Sequence, residues 1–162
     1  MLEKFISQTH FTSTQDFIEN YHVEVPEHFN FAYDVVDAWA HSSPQKRALF
    51  WVNDKGDERI FTFEDIKRGS DRAASFFQSL GIGKGDMVML MLKRRYEFWF
   101  AILGLHKLGA IAIPATHLLS VHDIVYRCNA ADVKAVVCTE DADLQEKINA
   151  SLPQSPTLIH RI

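Results

Sequence analysis

Residues 87–138 read MVMLMLKRRYEFWFAILGLHKLGAIAIPATHLLSVHDIVYRCNAADVKAVVC, and the changes of period within this stretch decide the fold. Met87 to Leu92 is an unbroken apolar run, the pattern of a parallel strand covered on both faces. Glu97 to Leu108 is apolar nearly all round and predicts a buried helix. AIAIPA at 110–115 is a second short strand. Ser120 and Asp123 make a box-like cap for a helix running to about Ala130, and VKAVVC at 133–138 is a third buried strand. Beyond it, Asp141 to Leu152 predicts a helix stopped by Pro153, and TLIHRI at 157–162 begins a final strand. Strands alternating with helices require right-handed crossovers. The predicted fold class is therefore α/β, a doubly wound, mostly parallel sheet with flanking helices.

Upstream of this stretch the pattern is different. STQDFIENY at 13–21 opens with hydroxyl and acidic residues and predicts a short amphipathic helix. Asn30 to Ala40 carries Phe31, Val35, Val36 and Trp39 at helical spacing and ends at Ser42, Ser43 and Pro44. RALFWVN and RIFTF flank the turn Asp54-Lys55-Gly56-Asp57 and predict a β-hairpin. Thr62 and Asp65 form a capping box for a helix to about Leu80, whose apolar positions Ile66, Ala73, Phe76, Phe77 and Leu80 recur every three or four residues. The organisation expected is a helical amino-terminal segment at 1–40 followed by a first α/β portion at 41–162. TLIHRI reaches the last residue, so this portion is expected to be part of a larger domain. An edge strand closing a small domain is the alternative.

Composition narrows the function classes. The chain has 162 residues, 47% of them apolar and 23% charged, an ordinary globular balance. A formal net charge of −4 without a basic stripe argues against nucleic-acid partners. No apolar run is long enough for a membrane span, and Met1 to Thr9 lacks a secretory apolar region. Cys128 and Cys138 stand in apolar or helix-forming surroundings, which suits reduced thiols and a cytoplasmic protein.

Three clusters invite a ligand. Gly81-Ile82-Gly83-Lys84-Gly85 precedes a strand, whereas a dinucleotide loop follows a strand and opens a helix. A left-handed helix end and a tight turn are expected there instead. Lys93-Arg94-Arg95 follows the first strand of the sheet, where open α/β folds bind ligands. It is read either as an anion site or as a solvated cluster pairing with Glu97. His117 and His122 lack the spacing and partners of a zinc site, and His106 is expected to be a satisfied buried histidine. No nucleophile elbow, Walker loop or spaced carboxylate pair is present.

Three motifs in order carry a family resemblance. They are VPEHFNFAYDVVDAWA at 25–40, FTFEDI at 61–66, and FWFAILG at 98–104 continued by KLGAIAIPAT at 107–116, and DIVYR at 123–127 agrees with them. Together they resemble the amino-terminal part of an acyl-CoA synthetase of the adenylate-forming superfamily, in its medium-chain and acetate-type branch. The resemblance implies ATP-dependent activation of a small carboxylic acid to an acyl-adenylate, with ATP, Mg²⁺ and CoA used by the parent enzyme. The phosphate loop, the adenylate-binding motifs and the mobile carboxyl-terminal domain of such enzymes lie beyond these motifs, so this chain alone is expected to be an inactive scaffold. It also implies a CoA approach along the loop after the 107–116 motif, at Thr116, His117 and Leu118. Leu118 departs from the polar or basic residue found there in relatives. A shortened sheet is expected to expose apolar surface and to self-associate. A stand-alone α/β binding module is the alternative reading of function.

Overall fold

The computed structural model describes residues 2–162. Its centre is strand β3 (Met87–Met91), flanked by β4 (Ile111–Pro114) on one side and by β5 (Ala135–Cys138) on the other, with β6 (His160–Arg161) beyond β5. All the pairings in this sheet are parallel: Val88 stands beside both Ala112 and Ala135, and Ala135 beside His160. Side chains alternate along β3, so Val88 and Leu90 enter one core while Met89 and Met91 enter another. The first core is covered by helices α3 (Phe63–Ser79) and α4 (Glu97–Leu108) through Phe77, Ala101 and Leu105. The second is covered by α5 (Val121–Ala130) and α6 (Ala142–Ser151) through Ile124, Cys128, Leu144 and Ile148. The winding reverses between β3 and β5, which makes the sheet doubly wound.

Helices α1, α3, α5 and α6 start where a side chain can take an orphan backbone donor. Thr62 and Ser120 accept from the backbone N–H of Asp65 and Asp123, and each Asp side chain returns a bond to its cap. Ser13 caps α1 (Thr14–Asn20) and Asp141 caps α6. The glycine segment between α3 and β3 is a turn, with Gly81 and Gly85 in the left-handed region. Asp86 accepts from the backbone N–H of Gly83 and from Lys134, which also donates to the Gly81 carbonyl. These residues lie at the amino end of β3, the wrong end for a ligand site.

Two elements differ from expectation. The helix predicted over 30–40 is a π-helical run, Ala32–Asp37, continuing into α2 (Ala38–Ser42). Bonding to the fifth residue brings Asp37 round to the side of Ala32 and Val36, and all three are buried. Helix α4 is not buried all round either: Trp99 is 48% exposed, because only one side of α4 meets the sheet and another meets α3. The hairpin forms as expected, with β1 (Arg47–Val52) antiparallel to β2 (Glu58–Thr62).

A buried ion cluster joins the amino-terminal segment to this frame. Lys107 on α4 has a side chain only 2% exposed and donates to Asp37 at 2.9 Å and to Asp71 on α3 at 2.6 Å. Lys67 adds a second bond to Asp71 at 2.7 Å. Burial alone would raise the Asp71 carboxyl, but the hydrogen bonds from Lys107 and Lys67 outweigh it and hold the group below its ordinary range. Next to this cluster, α3 and α4 approach closely at Gly104, where a Cβ would stand 2.9 Å from both the Ala73 Cβ and the Ala74 backbone nitrogen.

Two stability changes follow from these contacts, both read from urea unfolding. Lys107→Ala strands the buried Asp37 carboxylate and should cost about 3–5 kcal/mol, most of which the double change Lys107→Met with Asp37→Asn restores. Gly104→Ala should destabilise by about 1–3 kcal/mol through overpacking, against the ~1 kcal/mol gain that helix propensity alone would give.

Candidate functional site

Parallel strands present their carboxyl ends on one edge of the sheet, and the loops leaving them build a cleft of about 620 Å³. Leu90, Lys93 and Arg94 line it from β3 and its loop, Pro114, Ala115, Thr116 and His117 from β4 and its loop, Phe98 from α4, and Asp54 from the hairpin turn. A second depression of about 440 Å³, bounded by Trp51, Val52 and Trp99, shares Lys93, Arg94 and Phe98 with it. The hairpin fixes the β3 loop from outside: Trp51 Nε1 donates to the Arg94 carbonyl at 2.6 Å, and Arg59 donates to the Tyr96 hydroxyl at 3.0 Å.

The structure brings together two pairs of residues that the sequence singles out for different reasons. Thr116 and His117, expected at a CoA approach, share the cleft with Lys93 and Arg94. Leu118 is 76% exposed and its side chain does not line the cleft. Its backbone N–H donates to Thr116 Oγ1 at 3.2 Å, a local turn that shapes the loop after β4, and Leu119 anchors that loop in the second core.

The cations of the cleft are already partnered. Lys93 Nζ donates to Asp141 Oδ2 at 2.6 Å, with both side chains 34% exposed. Arg94 lies 3.9 Å from Asp54, both almost fully in solvent. The pairing expected with Glu97 is not made: Glu97 Oε2 is buried and lacks a hydrogen-bond partner. The Lys93 hydrogen bond holds the Asp141 carboxyl below its ordinary value, helped by the Leu144 backbone N–H and by the charges of Lys93 and His117. Asp141 carried no signal in the sequence beyond a helix cap, since it lies 48 residues from Lys93 and meets it only through the β3–β5 pairing. His106 also departs from expectation. Its Nδ1 is buried without a partner, and burial pushes its pKa down.

The family model described as AMP-binding enzyme matches residues 36–162. The chain belongs to the AMP-binding enzyme family. Among its relatives, the mitochondrial acyl-coenzyme A synthetase ACSM5 of Rattus norvegicus is 37% identical over 144 residues, covering 85% of this chain and 25% of that protein. The mitochondrial acyl-coenzyme A synthetase ACSM1 of Homo sapiens is 39% identical over 141 residues, covering 83% and 24%. Solved structures agree. A fatty acyl CoA synthetase of Mycobacterium tuberculosis superposes with a TM-score of 0.73 at 26% identity, over 82% of this chain and 26% of that one. The inhibitor-bound N-terminal domain of FACL13 from the same organism gives 0.73 at 25% identity, over 82% and 33%. The resemblance to acyl-CoA synthetases drawn from the motifs is thereby borne out, and the chain spans about a quarter of the length of the relatives it matches.

One expectation is overturned. A cytoplasmic setting had been read from the two reduced thiols, yet these relatives are mitochondrial proteins. Both cysteines are indeed free, Cys128 being buried. Free thiols report a reducing environment and do not distinguish one reducing compartment from another.

The Lys93–Asp141 pair has a pH signature. A carboxyl held below its ordinary value of 3.8 stabilises the fold at every pH above that value, and the contribution is lost as pH falls through the lower folded value. Carboxyl-carbon NMR titration should place Asp141 below 3.8, and Lys93→Gln should move it upward toward that value.

Proposed function

We propose that this chain is the amino-terminal scaffold of an AMP-forming acid–CoA ligase. The longer protein would join a small carboxylic acid to ATP, release pyrophosphate, and pass the acyl group from the adenylate to the thiol of CoA. The observation carrying this reading is the family match across residues 36–162, coupled to a cleft placed at the carboxyl edge of a doubly wound sheet. The chain's own contribution to chemistry is limited by its donor set. Phosphoryl chemistry needs a cation-rich cradle and a metal held by oxygen ligands. Among the described residues no three His, Cys, Asp or Glu side chains gather closely enough to hold a metal ion. The glycine turn lies at the opposite edge of the sheet from the cleft. ATP and Mg²⁺ are therefore assigned to segments of the longer enzyme, and no step is routed through residues of this chain.

What this segment supplies is the wall along which CoA approaches. Thr116 and His117 offer hydrogen bonds to its phosphates, Lys93 and Arg94 offer charge, and Leu118 enters only through its backbone N–H to Thr116. The exposed Ile111, in outer strand β4, and Ile159, next to outer strand β6, support self-association of the isolated chain. No helix among the described residues is long and apolar enough to cross a membrane.

Two measurements test this reading. The 162-residue chain should show no acid-dependent exchange of pyrophosphate into ATP, and measurable exchange refutes the scaffold role. In the longer enzyme, His117→Ala should raise the KM for CoA about three- to tenfold while sparing that exchange, the loss expected of one ordinary hydrogen bond. An unchanged KM removes His117 from the CoA path.

A further inference from the structure

The crevice between β3 and β5 is the switch point of the sheet, because the chain leaves β3 toward α4 on one face and leaves β5 toward α6 on the other. Such a crevice is where an open α/β sheet receives its ligand. Here it is bridged by the ion pair between Lys93, at the end of β3, and Asp141, at the start of α6. Three features mark this contact as more than a solvated surface pair. It joins the two loops on either side of the switch point. It is short, at 2.6 Å, and each partner is two-thirds withdrawn from solvent. Lys93 also adopts a left-handed backbone conformation, φ 51°, which side chains other than glycine's rarely adopt. The Arg94–Asp54 pair, at the cleft between the β3 and β4 loops that Lys93 also lines, has none of these properties: it is 3.9 Å long and almost fully exposed, so it holds its cation weakly.

We propose that Asp141 is a built-in counter-anion that occupies Lys93 until a phosphoryl group displaces it. This inference rests on the reading of the cleft as a phosphate-bearing ligand's approach and assigns its regulation. The carboxylate holds the Lys93 ammonium in place at the rim of the cleft that Lys93 shares with Thr116 and His117. A phosphoryl oxygen entering from that cleft takes over the Lys93 hydrogen bonds, and Asp141 swings back to its second task. Its other oxygen, Oδ1, already accepts from the Leu144 backbone N–H at 3.1 Å, so the cap of α6 survives the exchange. The consequence is a site whose affinity for anions is held down by a competitor tethered within the same chain. Ligands carrying more than one phosphoryl charge win the exchange, and singly charged anions do not.

The test is calorimetric titration of the 162-residue chain with inorganic pyrophosphate and, separately, with CoA. Asp141→Asn removes the competing charge while retaining the cap, because Asn and Asp cap helices equally well. Asp141→Ser does the same with a shorter side chain and serves if the first variant folds poorly. Asp143→Asn is the control, since Asp143 sits in the same first turn of α6, bonded to Lys147, and its loss changes net charge by the same amount. The proposal expects Asp141→Asn to bind pyrophosphate about fivefold more tightly than the parent, with Asp143→Asn unchanged and the gain abolished by adding Lys93→Gln. Equal tightening in both single variants reduces the effect to net charge and overturns the proposal. So does an unchanged affinity, or no detectable pyrophosphate binding by either the parent or Asp141→Asn. If pyrophosphate follows the expected order and CoA does not bind, the counter-anion stands and the CoA reading of the cleft fails. If CoA binds the parent and Asp141→Asn alike, the CoA reading stands and the counter-anion fails.

Discussion

Everything in this structure is arranged around a strand that has no solvent side. Val88, Met89, Leu90 and Met91 are all essentially inaccessible to water, and each such side chain is worth about 1.5–3 kcal/mol when buried. A strand that is apolar on both faces can be satisfied only by two helical layers and a neighbour along each edge. Helices α3 and α4 provide one layer, α5 and α6 the other, and β4 and β5 the two edges. The same requirement explains why the winding must reverse. Crossovers of one hand carry successive strands to one side only while the chain keeps moving in one direction, so covering the second face of β3 requires β5 to return to its opposite edge. The cleft opens on the other side of β3, where the loops leaving β3 and β4 part at adjacent strand ends.

Layers built this way still have to be joined to the segment that precedes them. Apolar contact does part of this: Ala32 and Val36 pack with Ile66 and Leu103. The specific element is the Lys107 cluster, which draws acidic partners from the π-helical run and from α3 onto a lysine of α4. A buried ion pair of this sort is poor evidence of net stability, because desolvation offsets much of the attraction. It is better understood as setting a register. The π-helical winding of residues 32–37 presents Asp37 to Lys107 while also burying Ala32 and Val36, although it departs from an ordinary α-helix.

The division between what was legible in the sequence and what was not follows the range of the interactions. Local signals read correctly: the capping boxes at Thr62 and Ser120, the left-handed glycines after α3, the hairpin turn, and the two-faced apolar run of β3. Each depends on residues within a few positions of one another. The π-helical run is not legible, because Lys107, the partner that Asp37 meets through this winding, lies 70 residues away. The cleft was half legible. Thr116, His117 and the basic cluster were singled out, but their juxtaposition depends on strand order, and alternation of strands and helices does not say which strands are neighbours. Asp141 was invisible for the same reason, since its sequence context marks only a helix start. The compartment was misread because thiol chemistry carries information about redox state and nothing finer.

Strand order also accounts for the division of labour between this segment and the rest of its family fold. A nucleotide triphosphate needs several converging donors, and a loop that supplies them must follow a strand and open a helix. The strand-to-helix turn after β3 meets the positional requirement but spends it differently. It carries Lys93-Arg94-Arg95 where a phosphate-binding loop would carry glycines, and its backbone is committed to the hairpin through the Arg94 carbonyl. The turn after β5 is committed as well, because Asp141 caps α6 and carries a negative charge where an incoming phosphate would need a donor. Neither strand-to-helix turn at the switch point therefore offers the several converging backbone donors of a triphosphate cradle. What remains beside Thr116 and His117 is a cationic edge formed by Lys93 and Arg94.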